Sequence, residues 1–119
     1  MEAFNLRVYG KVQRVGFRRY VLDLAQDLGL TGFAKNLPDG SIEIFVQGEK
    51  EQLSKFVGMV KQSPLPAKVV EVKEDKSVLN PEISGFRLVY GELGEELQEG
   101  FGAMQAMFVE YWKEFGKKR

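Results

Sequence analysis

Residues 4–28, FNLRVYGKVQRVGFRRYVLDLAQDL, change their hydrophobic period once, and the change falls across a loop that holds two glycines. Before the loop, Phe4, Leu6 and Val8 alternate with Asn5, Arg7 and Tyr9, the two-residue period of a strand with one buried face. After it, starting at Phe17 or Arg18, apolar residues at Val21, Leu24, Ala25 and Leu28 keep helical spacing, and Gly29 stands where a C-cap is expected. The stretch therefore reads as strand, loop and helix, with the loop spanning residues 10–16.

Working outward, residues 32–36 form a short second strand. The Leu37-Pro38-Asp39-Gly40 turn then leads into a third, in which Ile42, Ile44 and Val46 alternate with Glu43, Phe45 and Gln47. Gly48 closes that strand, and Leu53, Phe56, Val57 and Val60 lie on one face of a second helix that ends at Ser63-Pro64-Leu65-Pro66. Residues 69–78 read as a strand, Asn80-Pro81 as a turn, and residues 86–90 as a last short strand. The order is βαββαβ plus a short terminal strand. This predicts an α+β, ferredoxin-like sandwich: an antiparallel sheet with two helices on one face. By parity, Tyr9 and Phe45 belong to the face left uncovered.

Beyond residue 91 the pattern changes. Leu97, Phe101, Met104, Phe108, Tyr111 or Trp112, and Phe115 recur at spacings of three and four, with acids at the start and Lys117, Lys118 and Arg119 at the end. Two units are expected: a domain over residues 1–91, and a C-terminal helical extension over 92–119 packed on the domain or on a neighbouring subunit.

Composition narrows the chemistry. A 119-residue chain with 44% apolar and 29% charged residues suits one globular core. With no His and no Cys it excludes a Ser-His-Asp triad, a cysteine nucleophile, a disulfide framework and a thiolate or imidazole zinc site. No metal or other cofactor is expected. Seventeen basic residues balance seventeen acidic ones, so no overall field draws the chain to nucleic acid or anionic lipid. The opening MEAFNLRVYG does not read as a signal peptide and no apolar run in these residues reaches membrane length, so the expected location is the cytoplasm.

The loop GKVQRVGFR, residues 10–18, joins a strand to a helix start, where main-chain N–H groups lack partners within the helix and the dipole favours an anion. It lacks the Gly-Lys-Ser/Thr ending of a Walker loop. Arg18 at its lip could grip two phosphate oxygens with a fixed fork of donors. On spacing alone, a solvated Arg at a helix start and an Asn bonding its own turn remain open readings of Arg18 and Asn36.

The same stretch resembles the acylphosphatase signature, Gly-x-Val-Gln-Gly-Val-x-Phe-Arg, through Gly10, Val12, Gln13, Val15, Phe17 and Arg18, with Arg14 in place of the middle glycine. A second family motif, Gly-x-Val-x-Asn-x-x-Asp-Gly, is matched by Gly32, Asn36, Asp39 and Gly40, with Ala34 in place of Val. The resemblance spans residues 4 to 90 and implies hydrolysis of a small-molecule acyl phosphate to a carboxylate and inorganic phosphate. It further implies that Arg18 and Asn36 are catalytic, Arg18 holding the phosphoryl group and Asn36 orienting water. The substrate-binding loop comprises Val12, Gln13, Arg14, Val15, Gly16 and Phe17. At position 14 the side chain either points outward as a surface residue or inward as a second cation. Arg19 reads as a solvated helix residue.

The chemistry suits the composition. The carboxylate of a mixed anhydride is a weak base that departs without a general acid, and Asn cannot serve as a base, so the water's proton passes to a phosphate oxygen of the substrate. Two other readings share the fold: a non-catalytic phosphate-binding or assembly module, and an RNA-binding domain. The second fits poorly, because the basic residues fall in a loop rather than on a central strand. No nucleic acid or membrane partner is expected; a homodimer through the C-terminal helix is.

Overall fold

A computed structural model describes residues 1–90 of the chain. The elements are β1 (Glu2–Lys11), α1 (Phe17–Asp27), β2 (Thr31–Asn36), β3 (Ile42–Gly48), α2 (Lys50–Lys61), β4 (Lys68–Ser77) and β5 (Phe86–Val89), within a compact unit Met1–Val89. The expected helix over residues 92–119 lies outside the described residues.

The strands form one sheet in the order β4-β1-β3-β2-β5. β1 pairs antiparallel with both β3 and β4, and β2 pairs antiparallel with β3. The sequence reading of a wholly antiparallel sheet needs one correction: β5 joins β2 in parallel, so the sheet is mixed. The physical reason is the route of the chain. β4 ends at the end of the sheet where β2 begins, so the residues after Ser77, crossing that end to reach the β2 edge, enter β5 in the same direction as β2. Four strand spacings of about 4.8 Å lie within the reach of the eight connecting residues. Gln47 of β3 anchors the crossing midway: its Nε2 donates to the Asn80 carbonyl and its Oε1 accepts from the Asn80 N–H, both at 2.8 Å.

Alternation places the core. Leu6 and Val8 of β1, Ala34 of β2, and Ile42, Ile44 and Val46 of β3 cluster with Val21, Leu24 and Ala25 of α1 and with Leu53, Phe56 and Val60 of α2, all buried. The rings of Phe56 and Phe86 lie 6.4 Å apart, so β5 is held to α2 by aromatic packing as well as by its ladder. The opposite face carries Tyr9 and Phe45, as parity requires. There Phe45 is only 7% exposed and stacks on Phe33 at 5.8 Å, while Lys73 lies 5.4 Å from the centre of the Tyr9 ring. Helix α1 ends when Leu28, Gly29 and Leu30 turn their N–H groups back onto the carbonyls of Leu24, Gln26 and Ala25, so Gly29 stands one residue beyond the cap.

This topology fixes where a site can form. β1 and β2 flank β3 and both run antiparallel to it, so their C-terminal ends lie at the same end of the sheet, with Val8 and Asn36 each opposite Ile42. The loop that leaves β1 and the turn that leaves β2 therefore meet there, at the start of α1. The crossing between β4 and β5 occupies the other end.

Candidate functional site

The loop of residues 12–16 is irregular and ends at Gly16, the N-cap of α1, with φ 77° and ψ 10°. That left-handed conformation is where a side chain is costly, and glycine meets it without a Cβ. The cap has no side chain to satisfy the first helical N–H groups, and no acid stands in the first turn. Arg18 and Arg19 stand there instead. Cations at a helix N-terminus oppose the dipole, so the sequence forgoes the usual local stabilisation and leaves an electropositive end suited to an anion.

The remaining loop residues divide by role. Val12 and Phe17 are each 1% exposed and Val15 packs against the same cluster, so these three side chains anchor the loop through the core. Gln13 does something that its sequence did not reveal. Its Nε2 donates to the carbonyls of Leu37 and Ser41, both at 2.9 Å, and thereby ties the loop to the β2–β3 turn one residue from Asn36. A backbone acceptor leaves no trace in residue type; the faint signal was a glutamine inside a glycine-bearing loop.

Arg14 has φ 66°, so the residue that replaces the signature's middle glycine adopts the conformation for which that glycine is suited. The strain costs about 1–2 kcal/mol in a residue with a Cβ. Its side chain is exposed. Arg18 is half-buried and its Nη1 is shielded from solvent. Arg19 is exposed and paired with Asp23 at 3.2 Å one turn along the helix, which agrees with its reading as a solvated helix residue.

Asn36, the last residue of β2, is 4% exposed and shares the helix-side parity of Ala34, with its Oδ1 shielded from solvent. Gly32, earlier on the same strand, has φ 147°; a Cβ there would collide with the Phe45 main-chain carbonyl, which accounts for the glycine that opens the second motif. The turn itself is built by Asp39, whose Oδ1 accepts from both the Ser41 N–H and the Ser41 hydroxyl, while Arg7 stands 4.0 Å from its Oδ2. The Ser41 hydroxyl, then the Ser41 N–H, and with them the Arg7 guanidinium hold the Asp39 carboxyl below its ordinary value. From Arg7 through Asp39 and Ser41 to Gln13, a continuous set of polar contacts joins the sheet, the turn and the loop.

Among the described residues no group of three or more His, Cys, Asp or Glu side chains is placed to hold a metal, and no helix is long and apolar enough to cross a membrane. What the geometry offers is main-chain donors, a half-buried guanidinium and a buried amide at one end of the sheet. That set can bind a tetrahedral anion and position a small nucleophile beside it.

Known proteins resemble this chain in sequence and in fold. The family model described as Acylphosphatase matches residues 4–88. An acylphosphatase of Mycobacterium sp. (strain JLS) is 40% identical over 79 residues, 66% of this chain and 84% of that protein. One of Lactobacillus johnsonii is 42% identical over 91 residues, covering 76% of this chain and all of that protein. The crystal structure of acylphosphatase from Bacillus subtilis superposes with a TM-score of 0.72 at 34% identity, over 76% of this chain and 100% of that one.

Proposed function

The chain belongs to the acylphosphatase family and hydrolyses acyl phosphates to a carboxylate and inorganic phosphate, and we propose that it does so with the loop ahead of α1, Arg18 and Asn36. The single observation that carries this assignment is the docking of that loop onto the β2–β3 turn by Gln13, because it brings an electropositive helix start and Asn36 to one end of the sheet.

In this reading the N–H groups of the loop between Val12 and Phe17 and the guanidinium of Arg18 surround the phosphoryl oxygens. Asn36 orients a water in line with the bond between phosphorus and the acyl oxygen. The water oxygen bonds to phosphorus, the acyl oxygen leaves as a carboxylate, and the water's proton passes to a phosphoryl oxygen. The protein moves no proton of its own, which suits a site without histidine. Gly16, Val15 and Phe17 act through main chain and packing, Gln13 as a positioning residue, and Arg14 by forming part of the loop.

The proposal extends to a cytoplasmic location and to residues 92–119 as a helix packed on the domain or on a neighbouring subunit, the second case giving a homodimer. Deleting 92–119 lowers the melting temperature or turns a dimer into a monomer if that holds; neither changing would remove the structural role. The test of the hydrolase reading is timed hydrolysis of benzoyl phosphate with inorganic phosphate as competitor. Turnover inhibited competitively by phosphate is expected, and a rate equal to the uncatalysed one contradicts it.

A further inference from the structure

Resting on the hydrolase reading, we propose that Arg14 is a specificity-determining residue that favours acyl phosphates whose acyl portion carries a second anionic group. Elimination within the loop comes first. Val12, Val15 and Phe17 are committed to the core, Gly16 has no side chain, and the Gln13 amide is held by two carbonyls. Arg14 is thus the one side chain of residues 12–17 that is both charged and exposed. It forms no ion pair among the described residues, whereas Arg19, the neighbouring exposed cation, is neutralised by Asp23. Residues 11–22 contain no acid, and Asp39 of the docked turn is already engaged by Ser41 and Arg7.

The second observation is conformational. Position 14 holds an arginine at φ 66°, a backbone state that glycine would adopt without strain. Strain that persists at a ligand-binding loop motivates a functional assignment for the residue that causes it. The reaction geometry then says what that residue meets. In-line displacement puts the water and the acyl oxygen on opposite sides of phosphorus, so the acyl group projects away from Asn36 and out of the loop towards solvent. A cation at the rim therefore acts on the leaving portion of the substrate, and a neutral acyl group gives it nothing to attract.

The test compares benzoyl phosphate with 4-carboxybenzoyl and 4-phosphonobenzoyl phosphate, on the full chain and on Arg14→Gly, Arg14→Asn and Arg14→Lys. The readout is the ratio of kcat/KM for each anionic substrate to that for benzoyl phosphate, at low salt and in 0.5 M NaCl. Exposed ion pairs of this kind change such ratios by about two- to fivefold. The ratio is expected to fall by that amount in the Gly and Asn variants, to be retained by Lys, and to collapse in the parent at high salt, where charges more than a few ångströms apart are screened. The phosphonate arm should respond more than the carboxylate arm. A ratio that is the same in parent, Gly and Asn variants, or insensitive to salt, overturns the proposal. Titration with benzoylphosphonate and 4-carboxybenzoylphosphonate reads the same preference without turnover. A chain that hydrolyses none of the three would refute the hydrolase reading and this assignment with it, whereas turnover with an Arg14-independent ratio would overturn this proposal alone.

Discussion

Replacing Gln13 by Leu removes the two hydrogen bonds that hold the anion loop on the β2–β3 turn, each 2.9 Å long. A typical bond of this kind contributes about 0.5–1.5 kcal/mol net. Neither acceptor is stripped bare by the change. The Leu37 carbonyl still accepts from the Gly40 N–H at 3.1 Å, and the Ser41 carbonyl from the Leu37 N–H at 2.9 Å. The loss should therefore sit at the lower end, about 1–2 kcal/mol for both bonds together. The rate should respond more strongly than the stability, because the bridge sets the distance between the loop and Asn36, and misplacement by about 1 Å can cost a factor of ~100. Urea unfolding gives the first quantity, and benzoyl phosphate kinetics below 10% unfolded protein gives the second. We expect kcat down about 10- to 100-fold with the phosphate inhibition constant changed far less. Gln13→Glu, which sets a carboxylate against two carbonyl oxygens, should do at least as much damage at nearly the same volume. A Leu variant destabilised as described whose kcat stays within twofold of the parent would refute the coupling, leaving Gln13 a strut with no bearing on the chemistry.

Arg18→Ala should lower the rate by about 100- to 1,000-fold and weaken phosphate inhibition, whereas Asn36→Ala should lower the rate with phosphate inhibition nearly kept; equal effects on both parameters in both variants would contradict the division of roles. Asp39 titrates below its ordinary 3.8 because the folded state stabilises its carboxylate, so its contribution to stability is present above about pH 4 and is lost as pH falls through the folded value. Urea midpoints from pH 6 to pH 3 should fall less steeply in Asp39→Asn than in the parent, and identical slopes would count against the Ser41 and Arg7 contacts as the cause. Arg14→Gly relieves the left-handed strain and should raise stability by about 1 kcal/mol, read by urea unfolding; a loss instead would mean that the side chain supports the loop.

The residues that announced the fold were those whose spacing is set by burial. Phe4, Leu6 and Val8, with Ile42, Ile44 and Val46, alternate because one face of the sheet must meet α1 and α2, and that constraint writes itself into residue type. The loop and the second motif were legible for a related reason: Gly16 and Gly32 sit where a Cβ meets strain or a carbonyl. The direction of β5 was not legible. Phe86 and Leu88 alternate equally well in a parallel or an antiparallel strand, and the direction follows from β5 pairing with β2 rather than turning back onto β4. Gln13 was singled out as a ligand-side residue, yet its amide serves two main-chain carbonyls, acceptors that every residue carries and that spacing therefore cannot mark. At Arg14 the sequence showed a departure and two outcomes; the backbone adds that the left-handed turn is kept and the side chain is exposed.

The most direct test is a crystal structure of the chain soaked in inorganic phosphate. A tetrahedral anion held by the main-chain N–H groups of the loop ahead of α1 and by the Arg18 guanidinium, with an ordered water between it and Asn36, is the predicted result. A loop that stays empty at saturating phosphate, or one filled by the guanidinium of Arg14, would contradict it.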